Sequence, residues 1–160
     1  MWVAFFESFR YVGHLLPLAF LRLYLGYFFV ARAMERFEGD FLLQPRLASA
    51  INTWLPQSPA PDWYRYLVET WVLPHWQIFS YSITYAELLI GLSFLVGFAV
   101  RPMAVLGLFL MLNFIYISSP ESVILYKLLL VVFLVMAWMG AGRCLGFDYY
   151  FFKRHRGIWW

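Results

Sequence analysis

Four long apolar runs, separated by polar breaks, set the pattern of the chain. The first covers about residues 11–34 and is interrupted by one central charge, Arg22. The second covers about 76–100 and is interrupted only by Glu87. The third, about 102–117, has no charge, and the fourth, about 123–141, has Lys127 near its start. A helix needs ~20 apolar residues to cross the hydrocarbon layer, so each run is expected to span. Pro102 and Pro120 fall where helices should begin, because the missing proline N–H is harmless in a first turn. The breaks at Arg101–Pro102 and at 118–121 are short, which makes runs two, three and four sequential antiparallel neighbours.

The fold class expected is therefore all-α: one integral membrane four-helix bundle over residues 1–160, with an outer loop at 35–75 and a tail at 142–160. Composition sharpens this. In 160 residues, 63% are hydrophobic, 22% aromatic and 13% charged, and the mean hydropathy is +0.68. Soluble domains carry roughly 25% charged residues, so this chain has about half the usual solvating surface. A net charge of +3 with scattered basic residues excludes a nucleic-acid partner and leaves the bilayer as the expected one. Counting Lys and Arg near the span ends places Arg10, Arg101, Arg143, Lys153, Arg154 and Arg156 on one side. Arg36, Arg46 and Arg65 fall on the other, among acids. The bias favours an N-in, C-in topology. Ala31-Arg32-Ala33 resembles a signal-peptide cleavage site, but the run is too long and carries Arg22, so no cleavage is expected.

Within the loop, three prolines between Pro56 and Pro61 exclude helix interior. Short helical stretches are expected on either side, at 45–54 and 62–73, the second capped by Asp62. Trp63, Tyr64, Tyr66 and Trp71 suit either a lid over a site or an aromatic belt at the membrane surface. The tail, Phe147 to Trp160, alternates aromatic and basic residues, which suits an anionic lipid surface or a docking partner.

Candidate chemistry lies inside the membrane. Charges at the bilayer centre are expensive and normally paired. Arg22 and Glu87 each sit near the middle of a span, so a pair between them is expected. Ala19, Arg22, Gly26, Phe29 and Ala33 form one face of the first helix. Gln77, Ser80, Thr84, Glu87 and Gly91 form one face of the second. Small residues let helices approach and polar ones bond across. Such a pair fixes helix register or handles protons and a quinone headgroup, with Glu87 and Arg22 as reacting groups. Thr84, Tyr85 and Asn113 are then the candidate cofactor contacts, although Asn113 suits an interhelical hydrogen bond equally well. A single cysteine, Cys144, excludes a disulfide or CxxC pair. His14, His75 and His155 differ too much in depth to hold one haem. No metal, haem or flavin motif appears, so electron chemistry here requires a dissociable cofactor or a partner.

Several segments resemble the DoxX/DoxD family. They are Leu21-Arg22-Leu23-Tyr24-Leu25-Gly26, Glu87-Leu88-Leu89-Ile90-Gly91-Leu92, Gly97-Phe98-Ala99-Val100-Arg101, and the run from Gly140 to Asp148. The loop residues Trp54, Pro61, Trp63-Tyr64-Arg65 and Leu73-Pro74-His75 are similar to its DoxD branch. The resemblance implies a four-helix fold with Arg22, Glu87, Arg101, Arg143 and Asp148 as signature polar positions. It also implies a role linked to thiosulfate:quinone oxidoreductase or to membrane redox and stress-associated complexes. The family commonly has Gly followed by Lys at the end of the first span, where this chain reads Ala31-Arg32-Ala33-Met34-Glu35-Arg36. Two expectations follow. One is a quinone-linked electron-transfer subunit in a bacterial or archaeal cytoplasmic membrane, working with other membrane subunits. The other is a non-catalytic accessory subunit of a larger respiratory or photosynthetic complex.

Overall fold

The computed structural model of the protein describes residues 16–39 and 41–139. Among them are helices and turns but no strand. In chain order they are α1 (Leu16–Glu38), α2 (Arg46–Trp54), α3 (Asp62–Leu67), α4 (Trp76–Val96), α5 (Val100–Ile117) and α6 (Pro120–Met139). Helices α1, α4, α5 and α6 are each long and apolar enough to cross a membrane, and the protein is a multi-pass membrane protein. The expected tail, with Arg143, Cys144 and Asp148, lies outside the described residues, as do residues 1–15.

The helix boundaries shift from the hydropathy pattern for local reasons. Helix α1 continues to Glu38, four residues past the expected end. Ala31 to Arg36 are all strong helix formers, and no breaker precedes Gly39. The second span stops at Val96, because Gly97 takes a left-handed conformation (φ 71°) and returns its N–H to the Ser93 carbonyl at 2.8 Å. Ala99 is also left-handed (φ 53°), so the turn lies at 97–99. Arg101 and Pro102 instead fall in the first turn of α5, where N–H groups lack helical acceptors anyway. Helix α6 starts three residues earlier than expected, with Pro120 in its first position.

Two antiparallel helix pairs make the bundle. Helix α1 lies against α4 and α5 against α6, with α4 joining the pairs. The expected small-residue faces do meet. A Cβ on Gly26 would stand 2.9 Å from the Leu95 backbone nitrogen, and one on Gly91 would stand 2.8 Å from that of Val30. The helices therefore touch backbone to backbone. Between the pairs, Phe29, Phe94 and Phe133 pack as a buried aromatic group, with centroids 5.4 and 5.7 Å apart.

The 35–75 loop folds over one end of the bundle. Leu47, Ile51, Leu55, Tyr64 and Val68 form a second core against Ile83 of α4 and Tyr116 and Ile117 of α5. Trp63, Tyr66 and Trp71 remain exposed around it. The segment is thus a cap on the bundle with an exposed aromatic rim. Pro56 lies in a tight 3-10 turn, Leu55–Gln57, so the extended stretch begins only at Ser58. Asp62 does not cap α3: Pro61 holds the cap position and no side chain bonds there. The Arg65 guanidinium instead donates to the Ser58 carbonyl at 2.7 Å and closes the segment on itself.

Candidate functional site

The polar face of α4 is where the sequence placed it, with Ser80, Thr84 and Glu87 fully buried. Gln77, at the outer end of that face, is exposed. The partner of Glu87 is not the expected one. Arg36 Nη1 lies 3.0 Å from Glu87 Oε2, and Arg32 Nε lies 3.7 Å from Oε1. Arg22 is fully buried on α1 as well, but it precedes Arg32 by ten residues, ~15 Å of helix. The close contact of Gly26 with Gly91 and Leu95 fixes the register and carries Arg22 past the level of Glu87. The Arg22–Glu87 pair is therefore replaced by Arg32–Glu87–Arg36. Depth alone had matched the span centres, whereas α1 extends further and slides relative to α4.

Each arginine has a second attachment. Arg32 Nη2 donates to the Tyr126 hydroxyl of α6 at 2.7 Å. Its guanidinium stands 5.5 Å from the Tyr126 ring centre and 5.8 Å from that of Phe114. Arg36 lies 4.6 Å from the Phe41 ring centre and 5.8 Å from Phe114. Cations are attracted to ring faces, more so where water is excluded. The centre is thus walled by α1, α4, α5 and α6 and overlaid by Phe41 of the loop. Two guanidiniums face one carboxyl, and the Ser80 hydroxyl, fully buried on the same α4 face, makes no hydrogen bond among the described residues.

The other expected contacts are distributed differently. The Thr84 hydroxyl bonds its own helix, donating to the Ser80 carbonyl at 2.9 Å, one turn from Glu87. Tyr85 points out of the bundle, half exposed, with its ring against Phe37 and Tyr81. It does not join the centre, because consecutive residues on a helix differ by ~100° and Glu87 and Thr84 face inward. Asn113 serves the cap: its side-chain oxygen accepts from the Tyr64 hydroxyl at 3.0 Å, while its amide donates to the Phe109 carbonyl at 2.7 Å. Burial pushes the Tyr64 phenol up to about 12, with Tyr116 adding to the shift. Sequence reasoning missed Arg32 and Tyr126, and it placed Arg36 in the loop as a residue attracting an anion and not on α1 beside Glu87. Arg32 and Arg36 stand four apart, and that spacing on a helix stacks them on one face. The signal was masked by ending the helix at 34.

Among the described residues no three His, Cys, Asp or Glu side chains gather as a metal site. A membrane bundle with a buried arginine–carboxylate centre under a folded loop is the class that this architecture defines. The family model for DoxX matches residues 17–119, from α1 through α5. The chain belongs to the DoxX family. The matched stretch holds Arg32, Arg36 and Glu87, while Tyr126 lies beyond it. No curated protein and no solved structure matches the chain.

Proposed function

We propose that the protein is a membrane subunit of a quinone-linked electron-transfer complex, with the Arg32–Glu87–Arg36 centre as its quinone-headgroup site. The observation that carries this reading is the centre itself: a fully buried carboxyl held by two partly buried guanidiniums among aromatic rings. Intramembrane charges of this kind usually mark ion, proton or ligand sites. The residues suit the group. Arg32 and Arg36 would supply hydrogen-bond donors and positive charge to a quinone carbonyl oxygen. Phe41, Phe114 and Tyr126 offer ring faces, and the buried Ser80 hydroxyl offers one more polar contact.

A bound quinone supplies two-electron, two-proton redox chemistry. Glu87, held between the arginines, releases or takes up a proton at its carboxyl oxygens. The loop core of Ile51, Leu55 and Tyr64 restricts water. Electrons come from a partner protein or a small sulfur anion such as thiosulfate, and the membrane is a bacterial or archaeal cytoplasmic one with the termini inside. Assembly with partners is favoured by Tyr24 and Tyr27, which are 66% and 67% exposed on the outer face of α1. A phenol hydroxyl facing hydrocarbon finds no acceptor there, and a neighbouring subunit provides one. The same observation supports the second reading, a non-catalytic accessory subunit of a larger complex.

Gentle detergent purification, native mass determination and quinone extraction separate the two. The redox reading expects bound quinone that thiosulfate or a partner reduces, lost in Glu87→Gln while the protein still inserts and assembles. Recovery only within a large complex, with no quinone on this chain, makes it an accessory subunit. Failure of Glu87→Gln to assemble at all assigns the centre to structure.

A further inference from the structure

Lys127 lies in the first half of α6, seven residues and ~10 Å of helix beyond Pro120. Pro120, Val123 and Lys127 share one face at helical spacing, and that face lines a cavity of about 290 Å³. The opposite wall is the loop, through Trp54, Gln57 and Ser58, with Ser118 at the end of α5 beside it. Lys127 makes no ion pair among the described residues. An ammonium at this depth lacks water on the lipid side. Lys127 is exposed and lines the cavity, and side chains on a helix lean towards its N-terminus, the direction of the cavity mouth formed by Pro120 and the loop.

The hydrogen-bond inventory of the cavity selects its ligand. One Gln57 N–H is committed to the Thr53 carbonyl at 3.0 Å and the Ser58 hydroxyl to the Leu55 carbonyl at 2.8 Å. The groups left are mainly donors: the three Lys127 protons, the second Gln57 N–H and the Ser118 hydroxyl, which has no partner among the described residues. Such a set fits an anion rich in acceptor oxygens. Trp54, Ile115 and Val123 supply apolar wall beside it, so the ligand carries hydrocarbon as well. We propose that this cavity binds one phospholipid of the adjoining leaflet, with the lipid phosphate on Lys127 and its first acyl carbons along Ile115 and Val123. The site shares no residue with the Arg32–Glu87–Arg36 centre and does not depend on the quinone reading.

The test is native mass measurement of the full chain in mild detergent, titrated with phosphatidylglycerol and with the diacylglycerol of the same acyl chains. Wild type is expected to retain one phosphatidylglycerol and to take up diacylglycerol weakly. Lys127→Gln should weaken retention about fivefold, the effect of one basic residue at a membrane surface, and Lys127→Arg should keep it. Val123→Trp fills the cavity with the charge left in place and should also lose the lipid. It therefore decides the matter if Lys127→Gln fails to fold. Retention equal to wild type in folded Lys127→Gln or folded Val123→Trp overturns the proposal. So does equal binding of diacylglycerol, which makes the cavity an apolar groove only. Full displacement by millimolar inorganic phosphate also overturns it, by making the site one for free anion.

Discussion

The two helix pairs of the bundle are held together by opposite means. Helices α1 and α4 meet through Gly26 and Gly91, backbone against backbone, and bury Ser80, Thr84, Glu87 and Arg22 in or beside the contact. Helices α5 and α6 meet through bulk: Leu110, Met111 and Phe114 face Tyr126, Phe133 and Met136, with Gly107 under the Phe133 ring. In a bilayer no hydrophobic force draws helices together, so close backbone approach, polar bonds and shape must do it. The first pair uses the first two devices and carries the ionisable chemistry. The second uses shape and supplies the aromatic wall on which Arg32 and Arg36 rest.

That contrast can be broken at its strongest point first. Glu87→Ala leaves two partly buried guanidiniums side by side without a carboxylate. Breaking a buried ion pair by removing one partner costs about 3–5 kcal/mol, so thermal unfolding in detergent should drop steeply or the protein should fail to accumulate. Tyr126→Phe, which keeps the ring and removes one acceptor, should be far milder.

Gly91→Val comes next. Its Cβ meets the backbone of Val30 at 2.8 Å, and backbone cannot rotate away as a side chain can. Overpacking costs about 1–3 kcal/mol, and the upper end is expected here, with Arg36 displaced from Glu87 as α1 and α4 separate. Gly107→Ala tests the other pair. Its Cβ would overlap the Phe133 ring, a side chain that can yield only by repacking against Phe29 and Phe94, so a loss of about 1–2 kcal/mol is expected by the same measurement. Equal losses at Gly91 and Gly107 would contradict the distinction between backbone contact and side-chain contact.

The smallest effects belong to the cap. Tyr64→Phe removes the hydrogen bond to Asn113, a loss of about 1 kcal/mol, visible as faster proteolysis in the 41–75 segment before global melting changes. The Tyr64 phenol is pushed up to about 12 in the folded protein, above its usual ~10. Its contribution is therefore complete below about pH 10 and is lost as pH rises from about 10 towards 12. Cap proteolysis should rise over that window in wild type, and the Tyr64 component of the rise should vanish in Tyr64→Phe.

Much of this was legible along the chain. The face Ala19–Arg22–Gly26–Phe29–Ala33 is buried, and so is Gln77–Ser80–Thr84–Glu87–Gly91 apart from Gln77 at its end, because helical spacing alone decides which residues share a side. The number of apolar spans and the helices flanking the proline stretch were legible too. Helix ends were not, since hydropathy marks where a chain leaves hydrocarbon and not where its hydrogen bonding stops. Ala31 to Glu38 show the difference: ending the helix at 34 left Arg36 in the loop and away from Glu87.

What the sequence determined by itself is local: which segments are apolar enough to span, which faces are small or polar, and that Glu87 must find a cation. What only the tertiary structure decided is which cation. Helix periodicity specifies direction around an axis but not displacement along it. The sliding register between α1 and α4 is set where Gly26 and Gly91 let two backbones touch, and that contact placed Arg32 and Arg36 beside Glu87 and left Arg22 elsewhere.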